Sequence, residues 1–99
     1  MSKQTFFTTS NKTVTLTADP SDATARLADI KMPQDQVTCS IKANADNTGD
    51  VFIRKYGSAG AWVPMAASES VNLVVSNLNQ IEAYSENGTE KLNIFVSLA

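Results

Sequence analysis

Val37-Thr38-Cys39-Ser40-Ile41-Lys42-Ala43, then Asn44-Ala45-Asp46-Asn47-Thr48-Gly49-Asp50, then Val51-Phe52-Ile53-Arg54-Lys55-Tyr56, is the stretch that decides the fold class. Val37, Cys39, Ile41 and Ala43 alternate with Thr38, Ser40 and Lys42, the period-two pattern of a half-buried strand. Residues 44–50 collect turn formers, and residues 51–56 resume the extended pattern, so the stretch predicts two strands joined as a hairpin.

Downstream, Gly57-Ser58-Ala59-Gly60 breaks the second strand, Ala61-Trp62-Val63 is a short extended piece, and Pro64 argues that this piece lies at an edge or leads into a loop. Val71, Leu73 and Val75 alternate next, followed by Ile81 and Ala83 and then by Leu92, Ile94, Val96 and Leu98, which implies three further strands. Asn87-Gly88 matches a type I′ turn, which predicts a second hairpin flanked by Tyr84 and Leu92.

Upstream, Thr13–Thr17 reads as a strand. Residues 22–29 read either as a helical turn behind an Asp22 cap or, since Asp19-Pro20 and Met32-Pro33 bracket them, as an irregular excursion on the sheet. Residues 1–12, mostly polar apart from Phe6-Phe7, read as an extended N-terminal arm, leaving residues 13–99 as a single domain. The expected class is all-β, a small antiparallel β-sandwich or barrel-like domain.

Composition agrees, because Ser, Thr and Asn supply 28 of the 99 residues against 18 charged ones. These side chains compete with the helix backbone for hydrogen bonds, while Thr suits a pleated surface. With no histidine and one cysteine, Cys39, the commonest general base and metal ligand are missing, and neither a zinc site nor an internal disulfide can be built from thiols. No catalytic or metal-binding constellation and no cofactor are expected. Asp46 and Asp50, like Glu86 and Glu90, flank turns and read as solvated turn formers, and residues 46–50 lack the ligand spacing of a calcium loop. No Gly-x-Ser-x-Gly elbow, Ser-x-x-Lys pair or phosphate-cradling loop occurs. A net charge of −2 with no basic run argues against nucleic acid. No apolar stretch approaches the ~18–20 residues of a membrane span, and the first residues lack a signal-peptide core, so a soluble protein made in a cytoplasm is expected.

What remains is binding or assembly, and the large aromatics carry it. Trp62, in a Gly- and Ala-rich connection, reads equally as a partner contact or as core. Phe6 and Phe7 lean toward partner contact, since adjacent side chains on an extended chain face opposite ways. Tyr56 joins Trp62 if the partner is a glycan.

From about Ser40 to Leu98 the order of features resembles a family of small bacteriophage virion proteins, capsid decoration (cement) proteins among them. The resemblance lies in Ile41-Lys42-Ala43, in Asn47-Thr48-Gly49 leading to Val51-Phe52-Ile53, and in residues 65–75 from Met65 through Glu69-Ser70 to Val75. It continues in Asn77-Leu78 before Ile81 and in Asn87-Gly88 before the closing strand. Ser68 departs from it, standing where glycine is expected, and the first 36 residues lie outside it. The resemblance implies a non-enzymatic subunit on the outer surface of a bacteriophage head, made in the host cytoplasm. Its partner would be the major capsid protein, and it would act as a homotrimer clamping neighbouring capsomers. Phe6, Phe7 and Trp62 are the expected partner contacts. A phage tail or fibre module binding a host glycan is the alternative.

Overall fold

The computed structural model describes residues 11–29, 31 and 37–96. The strands are β1 (Asn11–Thr15), β2 (Val37–Ala43), β3 (Val51–Lys55), β4 (Val63–Met65), β5 (Ser70–Val75), β6 (Ile81–Ser85) and β7 (Lys91–Val96). They form two antiparallel sheets, ordered β1-β7-β2-β5 and β4-β3-β6, that do not close into a barrel. The fold is therefore an all-β sandwich.

Alternation explains how the sheets face each other. Cys39, Ile41 and Ala43 of β2 and Leu92 and Ile94 of β7 point inward from the four-stranded sheet. Val51 and Ile53 of β3, Met65 of β4, and Ile81 and Ala83 of β6 meet them from the three-stranded sheet. Leu16, Leu27, Val75 and Leu78 belong to the same buried cluster. The filling is aliphatic, with Cys39 acting as a small apolar side chain whose thiol is pushed up in pKa by burial.

Neither expected hairpin forms. β2 pairs with β5 and β7, while β3 pairs with β4 and β6, so residues 44–50 carry the chain from one sheet to the other. The same holds for Tyr84 and Leu92, since Tyr84 pairs with Phe52, and Leu92 with Val14 and Ala43. Gly88 has φ +75°, yet Asn87 lies outside the positive-φ region that a type I′ turn requires of both central residues. The physical reason is reach. Extended, the seven residues 44–50 can span roughly 23–25 Å and the five residues 86–90 roughly 16–18 Å, each ample for the ~10 Å between packed sheets, so these connections do not oblige their flanking strands to pair. Which strands pair is then settled by which apolar faces meet in the core.

The expected helical turn at residues 22–29 contracts to one 3-10 turn, Ala23–Ala25, capped by Asp22, whose carboxylate accepts the Thr24 N–H at 2.8 Å. The chain then extends along β6: Arg26 bridges Glu82, and the Leu27 N–H donates to the Ile81 carbonyl at 3.0 Å. Ala25 and Leu27 are buried with a period of two, which an edge-covering segment needs and a helix would not supply. β1 starts at Asn11, two residues inside the segment read as an arm.

The β4–β5 corner turns at Ser68. Its φ is +73°, in the left-handed region that favours glycine. Ala43 holds the corner, its carbonyl accepting the Ser68 N–H at 2.9 Å and its N–H donating to the Glu69 carbonyl at 2.8 Å. The Glu69 carboxylate accepts the Ala66 N–H at 2.6 Å.

Candidate binding surface

Because Val51 and Ile53 point inward, Phe52 and Arg54 must point outward, and in β6 the outward positions are Glu82 and Tyr84. Register brings them together: Phe52 lies between Pro64 and Tyr84, and Arg54 lies opposite Glu82. Phe52 and Tyr84 stack with ring centroids 4.7 Å apart and planes 18° apart. Trp62, just before β4, meets Tyr84 edge-on at 4.8 Å and 88°. Both are favoured geometries for aromatic quadrupoles.

Arginine completes the surface. The Arg54 guanidinium lies 4.1 Å from the Trp62 ring centroid, pairs through Nε with Glu82 Oε2 at 2.9 Å, and donates through Nη1 to the Gly60 carbonyl at 3.0 Å. Beside it, Arg26 lies 3.7 Å from the Tyr56 ring centroid and donates through Nε to the Asn79 carbonyl at 2.8 Å. A shallow polar recess of about 360 Å³ opens there, among Pro20, Asp22, Arg26, Tyr56 and Glu82.

Every aromatic residue among the described ones lies outside the core. Phe52, Trp62 and Tyr84 are half-buried against one another, Tyr56 is 47% exposed, and Phe95 is 44% exposed on the outer face of the larger sheet. Trp62, read from sequence as equally core or contact, thus stands on the surface. Phe6 and Phe7 lie outside the described residues. Phe52, Arg54 and Tyr84 were not singled out from sequence, although the inward alternation of Val51 and Ile53 already placed Phe52 and Arg54 outside.

The second notable cluster is where the two sheet-crossing connections touch. Glu90, read from sequence as a solvated turn residue, is 1% exposed, because residues 44–50 fold over it. Its Oε1 accepts the Asn87 N–H at 2.9 Å, and its Oε2 accepts the Asn87 side-chain amide at 2.7 Å and the Thr48 hydroxyl at 3.4 Å. Burial pushes the carboxyl up in pKa. The Asn87 backbone N–H, the Asn87 amide, the Glu90 N–H and the Ser85 hydroxyl outweigh it and hold the group at about 2, against an ordinary 4.5. A carboxylate so saturated with donors stays ionised and serves as a structural tie rather than as a proton donor. Gly49 is required beside it, since an added Cβ would stand 2.8 Å from Glu90 Oε2 and 2.7 Å from Asn87 Nδ2. Among the described residues, no group of three or more His, Cys, Asp or Glu side chains is placed to hold a metal ion, and no helix is long and apolar enough to cross a membrane.

Comparisons with protein-family models, with curated proteins and with solved structures found no match to this chain.

Proposed function

We propose that this chain is a capsid decoration (cement) protein, a non-enzymatic subunit that binds the outer surface of a bacteriophage head and stabilises contacts between capsomers. The observation that carries the binding role is the outer face of the three-stranded sheet, where Trp62, Tyr84, Phe52 and Arg54 stand together outside the core. Trp, Tyr and Arg are the side chains most enriched at interface hot spots, and a β-sheet holds them rigid before binding, which lowers the entropic cost of docking. The decoration role itself rests on the resemblance of residues 40–98 to such proteins. The partner is then the major capsid protein, and the working location is the capsid surface.

A homotrimer fits this role, since three modest patches gain avidity when their spacing matches the lattice, and a subunit that binds only the assembled shell stabilises it by linkage. The outer edge of β5 suits the contact between copies. Its sequence, Ser70-Val71-Asn72-Leu73-Val74-Val75, carries no charge, Val74 is 61% exposed, and an apolar groove of about 290 Å³ lined by Val63, Val71 and Leu73 adjoins it. The glycan-binding alternative is the weaker reading, because Arg54 lies over one face of Trp62 and Arg26 over one face of Tyr56, where a sugar ring would stack.

Sedimentation of purified protein with undecorated bacteriophage shells tests the proposal. The wild type is expected to be retained and to raise the heat resistance of the shells, and Trp62→Ala to bind roughly 30-fold more weakly or worse, the effect of removing a hot-spot anchor. Failure of undecorated and mature shells alike to retain the wild type would overturn the proposal, and binding to host cells instead would favour the glycan reading.

A further inference from the structure

Asn87-Gly88 is the one Asn-Gly dipeptide in the chain. Such a pair can react with itself, because glycine has no Cβ to hinder the approach of its nitrogen to the preceding side chain. In this fold both reacting groups are tied. The Gly88 N–H donates to Ser85 Oγ at 3.0 Å, and Ser85 is fully buried. The Asn87 amide nitrogen donates to Glu90 Oε2 at 2.7 Å, and the Asn87 backbone N–H donates to Glu90 Oε1 at 2.9 Å. The Gly49 backbone closes over the amide, since a Cβ added there would lie 2.7 Å from Asn87 Nδ2. For reaction, the Asn87 side chain must swing off Glu90 and the Gly88 nitrogen must leave Ser85.

We propose that Asn87 is a latent self-modification site, held shut in the folded chain by Glu90 and Ser85 and released when the 86–90 corner opens. In the reaction the Gly88 backbone nitrogen gives its proton to solvent base and attacks Asn87 Cγ. The bond from Gly88 N to Cγ forms, the bond from Cγ to Nδ2 breaks as Nδ2 takes up a proton from solvent, and ammonia leaves, giving a five-membered succinimide. Water then opens the ring to aspartate or isoaspartate, and no other reagent is consumed. The product cannot rebuild the native corner, because a carboxylate oxygen would replace the amide that now donates to Glu90 Oε2 at 2.7 Å, placing like charges in contact. Opening this corner for long enough therefore becomes chemically irreversible.

The test is mass spectrometry with peptide mapping of the full chain, incubated at mildly alkaline pH with and without concentrated urea. The expected result is a gain of about one mass unit at Asn87 in urea, at least roughly tenfold faster than in the native protein, where tying the two groups raises the barrier. Ser85→Ala and Glu90→Gln, assayed while circular dichroism shows them folded, are expected to react faster than native wild type. Equal rates for wild type with and without urea would overturn the proposal, as would folded variants reacting no faster than wild type. Should Glu90→Gln fail to fold, Ser85→Ala and the wild-type comparison still decide the matter.

Discussion

Replacing Glu90 by glutamine tests whether an ionised, buried carboxylate holds the two sheet-crossing corners together. Its carboxyl titrates at about 2 in the fold against an ordinary 4.5. At 1.36 kcal/mol per unit, that difference sets an upper bound of about 3 kcal/mol on the ionised form's contribution to stability. The cover over Glu90 is a single loop, so screening by nearby water lowers the expected value to about 1–2 kcal/mol. The sign follows from the depressed pKa. The contribution is fully present above the unfolded value of 4.5, declines as pH falls below it, and is gone below about 2. Glu90→Gln keeps the size of the side chain but turns an amide toward donors that need an acceptor, so at neutral pH its melting temperature should lie about 5–10 °C below wild type. Thermal unfolding of both proteins from neutral pH down to about pH 2, followed by circular dichroism, reads the gap between them, which should close as the pH falls. Asp19, held low by the Ser21 hydroxyl and N–H, and Asp22, held low by the Thr24 N–H and hydroxyl, also shape the acid limb, but both proteins carry them and the difference cancels them. A gap that stays constant with pH would refute the reasoning, because the loss would then come from packing and not from charge.

Ser68→Gly should raise stability by about 0.5–1 kcal/mol, read as a higher denaturant midpoint at unchanged slope, since the φ of +73° costs serine what glycine avoids. Gly49→Ala should destabilise by about 1–3 kcal/mol in the same assay, because its Cβ would meet Asn87 Nδ2 at 2.7 Å, Glu90 Oε2 at 2.8 Å and Glu86 Cβ at 3.0 Å. Val74→Lys, at a site 61% exposed on β5, should change stability by no more than about 0.5 kcal/mol while breaking the proposed homotrimer, read as a fall of the light-scattering mass to that of a monomer. A trimer that survives the lysine would place the contact between copies elsewhere.

Much of the sandwich was legible because strand identity is local. Alternation at Val37–Ala43, Val51–Lys55, Ser70–Val75 and Lys91–Val96 needs only neighbouring residues to declare a buried and an exposed side. The two readings of the segment after Asp22 each hold in part: the cap is local and formed, and the chain beyond it lies on the sheet, along the free edge of β6.

Pairing was not legible, and neither was most of the candidate surface. Asn47-Thr48-Gly49 and Asn87-Gly88 satisfy a reversal of direction whether the chain returns beside itself or crosses to the other sheet, so turn chemistry alone does not choose. The burial of Glu90 depends on two corners, some forty residues apart in the chain, meeting in space. Trp62 likewise joins Tyr84 and Arg54 only because β4, β3 and β6 lie side by side. Periodicity and backbone preference are enough to give the all-β class, the strands and their inward faces. Tertiary structure alone decided which strands became partners, which acid was buried, and which aromatics share one surface, because those outcomes are set by complementarity between faces distant in the chain.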